Sequence, residues 1–158
     1  MDDLTLALAT GFGLGLAPWM PGTWGSLPAA ALGVYLQRIS LQIQLLVAGC
    51  LVVLAVPVCG AASQLLQAGD ASRIVADEFA AFPVAVIGFP AARKPWVLLA
   101  AFVGYRFFDI VKPPPIEQLE SLSGGVGIVF DDVAAALATR LVLTAAMVIS
   151  RHYRAAVR

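Results

Sequence analysis

One uncharged apolar segment constrains the fold of this chain more than any other feature. Residues 41–62, LQIQLLVAGCLVVLAVPVCGAA, contain no acidic or basic side chain. As an α-helix rising about 1.5 Å per residue, the segment would extend roughly 33 Å, enough to cross the hydrocarbon core of a bilayer. We expect Pro57 to kink this helix without ending it. The segment therefore predicts a membrane-spanning helix.

The rest of the composition agrees with a membrane environment. Of the 158 residues, 60% are hydrophobic and 13% are charged, and the mean hydropathy is +0.88. A soluble domain is about a quarter charged, so we expect lipid to contact much of this surface. The length suits a single domain over residues 1–158. A net charge of zero argues against nucleic-acid binding, and the apolar content excludes intrinsic disorder.

Other apolar runs predict further helices. A second candidate span runs from Val133 to Ser150 and is interrupted by Arg140, which we expect to form an ion pair or to snorkel. Shorter runs of about 10–15 residues are too short to span a bilayer with confidence; they lie near 4–17, 27–37, 79–92 and 96–110. None alternates as a strand would. The expected fold is all-α: a compact, membrane-embedded helical bundle with several short or kinked apolar helices.

Proline and glycine mark the connections between these runs. Residues 17–28, APWMPGTWGSLP, predict a structured turn region, and KPPPI at 112–116 should stop a helix. Residues 121–132, SLSGGVGIVFDD, predict a glycine-rich approach to a helix that opens with Asp131 and Asp132. Acids at a helix start interact favourably with its dipole, so capping is one interpretation of that pair.

Helices that alternate in direction would collect the acidic residues at one end of the bundle. Neighbouring carboxylates repel one another, and burial penalises each ionised group. A hard divalent cation such as Mg²⁺ relieves both problems, because it prefers oxygen ligands and often binds substrate phosphate as well. The acids expected at this end are Asp70, Asp77, Glu78, Asp109, Asp131 and Asp132.

The segment RFFDIVKPPPI, residues 106–116, places two cations and one acid three residues apart before three prolines. An ordinary ion-pair stripe ending in a proline stop is one interpretation. On the metal interpretation, Asp109 reaches the cation, while Arg106 and Lys112 bind phosphate oxygens with Arg73 nearby. An ion-conducting or transport protein that uses the clustered acids as an ion site is the alternative function, because acids near lipid also mark ion pathways.

Hydroxyl and glycine motifs add weaker candidates. Thr23 and Ser26 in PGTWGS, and Gly124 and Gly125 in GGVGIVFDD, are possible phosphate cradles, although plain turns explain both motifs. Cys50 and Cys59 lie in the apolar segment, where we expect buried and inert thiols. The single histidine, His152, excludes a zinc site of mixed cysteine and histidine ligands.

Four blocks together resemble a known family. GFGLGLAPWMPGTWGSL, DASRIVADEF, YRFFDIVKPPPIEQLE and SGGVGIVFDD occur in this order and span residues 11–132. They resemble the phosphatidylglycerophosphatase A family of bacterial membrane lipid phosphatases. The resemblance implies a Mg²⁺-dependent enzyme that hydrolyses phosphatidylglycerophosphate to phosphatidylglycerol and inorganic phosphate. It also implies a helical bundle in the bacterial inner membrane with a phospholipid substrate.

The resemblance assigns roles to matching positions. Its acidic residues, as catalytic groups and metal ligands, fall on Asp77, Glu78, Asp109, Asp131 and Asp132. Its phosphate-binding positions fall on Arg106, Lys112, Thr23, Ser26, Gly124 and Gly125. The family usually has glycine shortly after the DEF and DD motifs, where this chain has Ala80, Ala81 and Ala136. Alanine in place of glycine would change the spacing between helices. All the charged positions of the family are retained, so the departures do not alter the charged groups of the site.

Two questions stay open from the sequence. The nucleophile is either a metal-activated water or one of the aspartates. The positive-inside rule puts the end bearing Arg38, Arg93, Lys94 and Arg151 in the cytoplasm and the acids outside. The resemblance implies a substrate made on the cytoplasmic leaflet, and we give this argument more weight. The sequence predicts no oligomeric state.

Overall fold

Helices account for all of the regular secondary structure in the described part of the chain. The computed structural model describes residues 2–68 and 71–156, and this part contains no strand. The expected all-α class is confirmed. The α-helices are, in chain order, α1 (Asp2–Ala9), α2 (Pro21–Leu36), α3 (Leu41–Leu65), α4 (Ala76–Val86), α5 (Pro95–Val111), α6 (Ile116–Glu120) and α7 (Gly125–Ala156).

Among the described residues, two helices are long and apolar enough to cross a membrane. They are α3, with 25 residues, and α7, with 32. In the most apolar 18-residue stretch of each helix, only 22% and 17% of the residues are buried within the protein. The core helix of a soluble protein would be mostly buried. The expected spans are confirmed as helices, with Pro57 inside α3. Apolar side chains exposed along both helices suggest association with a membrane.

The short helix α4 lies at the centre of the bundle. It packs against α2, α3, α5 and α7. Its buried residues include Ala80, Ala81 and Ala85, whose small side chains let neighbouring helices come close, and Phe82, whose ring lies 5.5 Å from that of Tyr105 on α5. The first turn of α4 carries Asp77 and Glu78 into this packed centre.

Two helices begin earlier than the sequence predicts. Residues 21–28 were expected to be a turn, but α2 starts at Pro21, because the fixed φ angle of proline suits the first helical position and no hydrogen bond from its nitrogen is needed there. Likewise, α7 starts at Gly125 instead of Asp131. A Cβ atom on Gly125 would overlap the Val56 carbonyl oxygen, so this glycine allows α7 to lie against α3. Asp131 and Asp132 are therefore buried in the second turn of α7 and do not open the helix.

The prolines after α5 end that helix as predicted. The helix stops at Val111, and Lys112 takes a left-handed conformation with φ of 44°. The short helix α6 then leads back to the start of α7, against which it packs. The runs at 4–17 and 79–92 are shorter helices than expected, since α1 ends at Ala9 and α4 at Val86, and each is followed by a 3-10 turn.

The expectation of buried thiols is wrong for Cys50, which is exposed, and holds for Cys59. Of the two positions expected for Arg140, the ion pair is not formed with any described residue. Arg140 Nη1 donates a hydrogen bond of 2.6 Å to the Ile87 carbonyl, and its guanidinium lies 4.5 Å from the centre of the Phe89 ring. Arg140 therefore caps the C-terminal end of α4, where carbonyl groups lack helical partners.

Candidate active site

Three buried carboxylates converge where α4 meets α7. One oxygen from each of Asp77, Glu78 and Asp132 lies within 4.8 Å of the other two. The residues are 4%, 9% and 3% exposed. The chain brings them together because α4 and α7 pack at the start of α4 and the second turn of α7. Carboxylate oxygens this close can bind one cation together.

The two acidic pairs use the same local hydrogen bond. Asp77 Oδ1 accepts from the Glu78 amide at 2.9 Å, and Asp131 Oδ1 accepts from the Asp132 amide at 2.8 Å. Each bond fixes the first carboxylate of its pair. Opposite them, Gly22 on α2 faces Glu78, and a Cβ atom at this position would overlap Glu78 Oε1. Glycine at position 22 therefore leaves the space that the Glu78 carboxylate occupies.

The two basic side chains at the site form ion pairs with different acidic residues. Arg106 Nη1 lies 2.6 Å from Asp109 Oδ2 and 3.4 Å from Glu78 Oε1. Lys112 Nζ lies 2.6 Å from Asp131 Oδ2 and 3.1 Å from Glu120 Oε1. The guanidinium and the ammonium therefore pair with different acids of the site.

These groups line one cavity of about 290 Å³, called here the acidic cavity. Seven charged residues predicted from the sequence meet there: Asp77, Glu78, Arg106, Asp109, Lys112, Asp131 and Asp132. The remaining wall comes from the start of α2, the segment before α4, and one isoleucine each from α5 and α7. It consists of Met20, Pro21, Gly22, Ser72, Ile74, Ile110 and Ile128. The structure therefore brings these seven predicted side chains together in one cavity.

Burial disfavours full ionisation of the acid cluster. Burial, and then repulsion from Glu78, raise the pKa of Asp77 well above its ordinary value. Burial also raises the pKa of Glu78, although hydrogen bonding to Asp77 and the charge of Arg106 act in the opposite direction. In addition, Glu78 Oε2 is buried and has no hydrogen-bond partner among the described residues. A bound cation would satisfy this oxygen, so the residues present fit a hard divalent metal such as Mg²⁺.

Several predicted phosphate-binding residues do not line the acidic cavity. Ser26 is fully buried and its hydroxyl donates to the Gly22 carbonyl at 2.6 Å, so it supports α2 instead. Gly125 packs against α3, and Gly124 takes a left-handed turn with φ of 69°. The hydroxyl of Thr23 is buried without a partner among the described residues. Arg73 is exposed, and Asp70 lies outside the described residues.

Two residues near the site carried no signal in the sequence. Glu120 pairs with Lys112 only because the prolines turn α6 back toward α5. Tyr105 is fully buried within α5, and its hydroxyl has no hydrogen-bond partner among the described residues. An aromatic residue in an apolar run is usually a core residue, so only the packing reveals an unsatisfied hydroxyl beside the acids.

The fold and site define a membrane-associated helical protein with a buried acidic centre flanked by an arginine and a lysine. A sequence model of the family Phosphatidylglycerophosphatase A matches residues 7–147. The chain belongs to this family of phosphatases, and the expected resemblance and enzyme class are confirmed.

Individual relatives cover most of the chain. It is 39% identical to Phosphatidylglycerophosphatase A of Haemophilus influenzae, over 87% of this chain and 85% of the relative. It is 35% identical to the Escherichia coli protein of the same name, over 81% and 74%. A Bacteroides thetaiotaomicron protein provisionally named phosphatidylinositol-3-phosphatase is 34% identical over 90% and 93%. No solved structure matches the chain significantly.

Proposed function

We propose that this chain removes the terminal phosphate of phosphatidylglycerophosphate, giving phosphatidylglycerol and inorganic phosphate. The observation that carries the proposal is the acidic cavity, in which Asp77, Glu78 and Asp132 converge beside Arg106 and Lys112. The names of the Haemophilus and Escherichia relatives support this substrate. The enzyme would act in the bacterial cytoplasmic (inner) membrane, which fits the two long apolar helices.

Three of the five acids are the best candidates for metal ligands. Asp77, Glu78 and Asp132 offer mutually close oxygens, whereas Asp109 and Asp131 each lie 2.6 Å from a cation. When bound, Mg²⁺ would neutralise phosphate charge and stabilise the charge that develops during hydrolysis. We therefore assign the first three acids to the metal, and assign Asp109 and Asp131 to positioning Arg106 and Lys112.

Arg106 and Lys112 are assigned to the substrate phosphate. A guanidinium binds two phosphate oxygens with its planar fork, and an ammonium binds as a point charge. Both side chains line the cavity and are mostly buried, so their charges are weakly screened by solvent. They would hold the phosphorus atom in line with the attacking oxygen.

Hydrolysis breaks the bond between phosphorus and the glycerol oxygen, and the departing alkoxide takes a proton. The attacking oxygen belongs to water directly, or to an aspartate whose phosphoryl ester water then hydrolyses. Acid quenching during turnover of substrate with a radioactive terminal phosphate distinguishes these routes. Attack by an aspartate leaves phosphate covalently bound to the protein in a hydroxylamine-sensitive acyl phosphate, whereas direct attack by water leaves none.

The metal and the acids can be tested together. We expect the purified full-length chain to release phosphate from phosphatidylglycerophosphate with Mg²⁺ and to lose this activity in EDTA. Asp132→Asn should lower kcat/KM by about 10²–10³-fold, because it weakens the binding of the metal that stabilises the negative charge developing during hydrolysis. Glu117→Gln, an exposed acid on α6 outside the cavity, is the matched control and should retain activity. Full activity in EDTA would reject the metal.

The name of the Bacteroides relative suggests a second substrate to test, phosphatidylinositol 3-phosphate. That name concerns a phosphate on an inositol ring, so phosphatidylinositol 3-phosphate should be assayed beside phosphatidylglycerophosphate. A higher kcat/KM for the inositol lipid would change the proposed substrate while leaving the phosphatase chemistry intact. The ion-transport alternative gains no support from the relatives, because all three carry phosphatase names.

A further inference from the structure

A second cavity, larger than the acidic one, is walled by apolar residues of α1, α2, α3 and α4. Its volume is about 610 Å³, within the usual range for small-molecule sites. The lining includes Leu51 and Leu54 of α3, Val75 and Phe79 at the start of α4, and Phe12 and Pro28. No charged residue lines this apolar cavity. The reaction assigned above uses none of these side chains.

The apolar cavity and the acidic cavity share a wall. Asp77 and Glu78 on α4 line the acidic cavity, while their neighbours Ala76 and Phe79 line the apolar one. On α2, Gly22 lines the acidic cavity, and positions 25 and 28 line the apolar one. A helix with its side chains is about 10–12 Å across. A ligand in both cavities must therefore carry a phosphate and an apolar part about one helix width apart.

The entrance to the apolar cavity suits a ligand that arrives from lipid. Phe12 is 80% exposed and Leu54 is 63% exposed. Leu54 belongs to α3, one of the two helices that can cross a membrane. An extended hydrocarbon chain beside α3 can thus enter the apolar cavity without crossing a polar surface.

We infer that the apolar cavity binds an acyl chain of the same lipid whose terminal phosphate occupies the acidic cavity. This inference rests on the proposed function. Phospholipid tails are about as apolar as leucine side chains, so moving a chain from the bilayer into this cavity gains little hydrophobic free energy. The cavity would instead orient the lipid so that its phosphate reaches Arg106 and Lys112, and such orientation lowers the reaction barrier.

A tryptophan introduced at the entrance tests the assignment. Leu54→Trp would fill part of the cavity, whereas Val53→Trp, on the same helix and 69% exposed, lies outside the lining and is the matched control. The substrates are dihexanoyl phosphatidylglycerophosphate and its deacylated, water-soluble head group. Leu54→Trp should lower kcat/KM by about tenfold or more for the acylated substrate. It should change the rate on the head group by less than about twofold, and Val53→Trp should change neither by more.

Photolabelling measures lipid binding in the apolar cavity independently of hydrolysis. Phosphatidylglycerophosphate with a photoactivatable acyl chain should label residues of α3 and α4 around the apolar cavity, and Leu54→Trp should reduce this labelling. Labelling at the cavity without any hydrolysis would overturn the proposed function and support the acyl site. Equal activities of the two tryptophan variants would overturn the acyl site. Equal labelling by photoactivatable phosphatidylcholine would also overturn it, because the cavity would then hold any bilayer lipid.

Discussion

At the scale of single residues, Gly22 is the uncharged position on which the site depends most directly. In Gly22→Ala the new Cβ would overlap Glu78 Oε1 and lie 2.9 Å from Arg106 Nη1. We expect the Glu78 carboxylate to move, lowering kcat/KM by about 10–100-fold and costing about 1–3 kcal/mol of stability. Phosphate release and thermal unfolding in detergent measure the two effects.

The control for this prediction is Gly49→Ala on α3. Nothing lies within 4 Å of a Cβ atom built at Gly49, and alanine is about 0.5–1 kcal/mol better than glycine inside a helix. Gly49→Ala should therefore keep full activity and unfold at a slightly higher temperature. Unchanged activity in Gly22→Ala would contradict the proposed placement of Glu78.

Losing the exposed ion pair of Lys112 should cost less stability than losing its ammonium altogether. The Asp131 side chain is 2% exposed, whereas that of Glu120 is 42% exposed. Glu120→Gln should change the free energy of unfolding by less than about 1 kcal/mol, because an exposed pair is screened. Lys112→Met leaves a buried carboxylate without its ammonium and should cost about 3–5 kcal/mol. Chemical unfolding of both variants checks the ranking, and equal losses would be inconsistent with it.

The sequence predicted the charged residues of the site better than its uncharged ones. Charged side chains are rare in this chain, so each of Asp77, Arg106 and Lys112 stands out, and alternating helices suffice to bring them together. Ser26 is a phosphate-binding candidate in the sequence because its hydroxyl belongs to PGTWGS, in a predicted turn region. Once Pro21 starts a helix, the Ser26 hydroxyl bonds to the carbonyl four residues earlier. The prediction for Ser26 failed because residues 21–26 form a helix where a turn was expected.

At the scale of helices, the contact between α3 and α7 positions Asp132, one of the three clustered acids. Gly125→Leu would force a side chain against the Val56 carbonyl and separate the two helices. We expect a loss of at least about 1–3 kcal/mol from overpacking, together with lower activity, because Asp132 moves with α7. Val126→Leu, one residue later and 42% exposed, is the control and should change neither measurement. Wild-type activity in Gly125→Leu would show that the site tolerates a shift of α7.

A second helix-scale prediction concerns Arg140 and the end of α4. Arg140→Gln removes the hydrogen bond to Ile87 and the contact with the Phe89 ring. We expect a loss of about 1–2 kcal/mol, since the side chain is partly exposed. Arg151→Gln in the exposed final turns of α7 should have no measurable effect. Thermal unfolding in one detergent compares the variants, and an equal stability of both would contradict the capping role.

Helix existence was easier to predict than helix boundaries. The uncharged run of α3 and the prolines after Val111 fix their helices locally, and both predictions are confirmed. The starts of α2 and α7 were placed too late, because glycine and proline usually indicate loops. Here Gly125 is required by contact with α3, a residue about 70 positions away in the chain that local patterns cannot reveal. Such long-range packing overrides the local preference of glycine for turns.

At the scale of the whole molecule, two arguments about membrane orientation disagree. The basic residues Arg38, Arg93, Lys94 and Arg151 flank the ends of α2, α5 and α7 opposite those that line the acidic cavity. By the positive-inside rule these basic ends should be cytoplasmic. The proposed substrate, however, is expected on the cytoplasmic leaflet, and the acidic cavity must face the leaflet that holds it. We therefore expect the acidic end to be cytoplasmic, because activity requires access to substrate whereas the charge rule is a statistical tendency.

Single cysteines at the two ends of α7 decide the orientation. Ser121 precedes α7, and Ser150 lies about 38 Å beyond the start of the helix, farther than a hydrocarbon core is thick. In a background with Cys50→Ala and Cys59→Ala, Ser121→Cys should react with an impermeant maleimide only in inverted vesicles, and Ser150→Cys only in intact spheroplasts. The reverse pattern would place the acidic cavity outside and remove the argument from substrate access. Reaction of both cysteines from one side would instead show that α7 does not cross the bilayer, so that the apolar surface of this helix lies along the membrane.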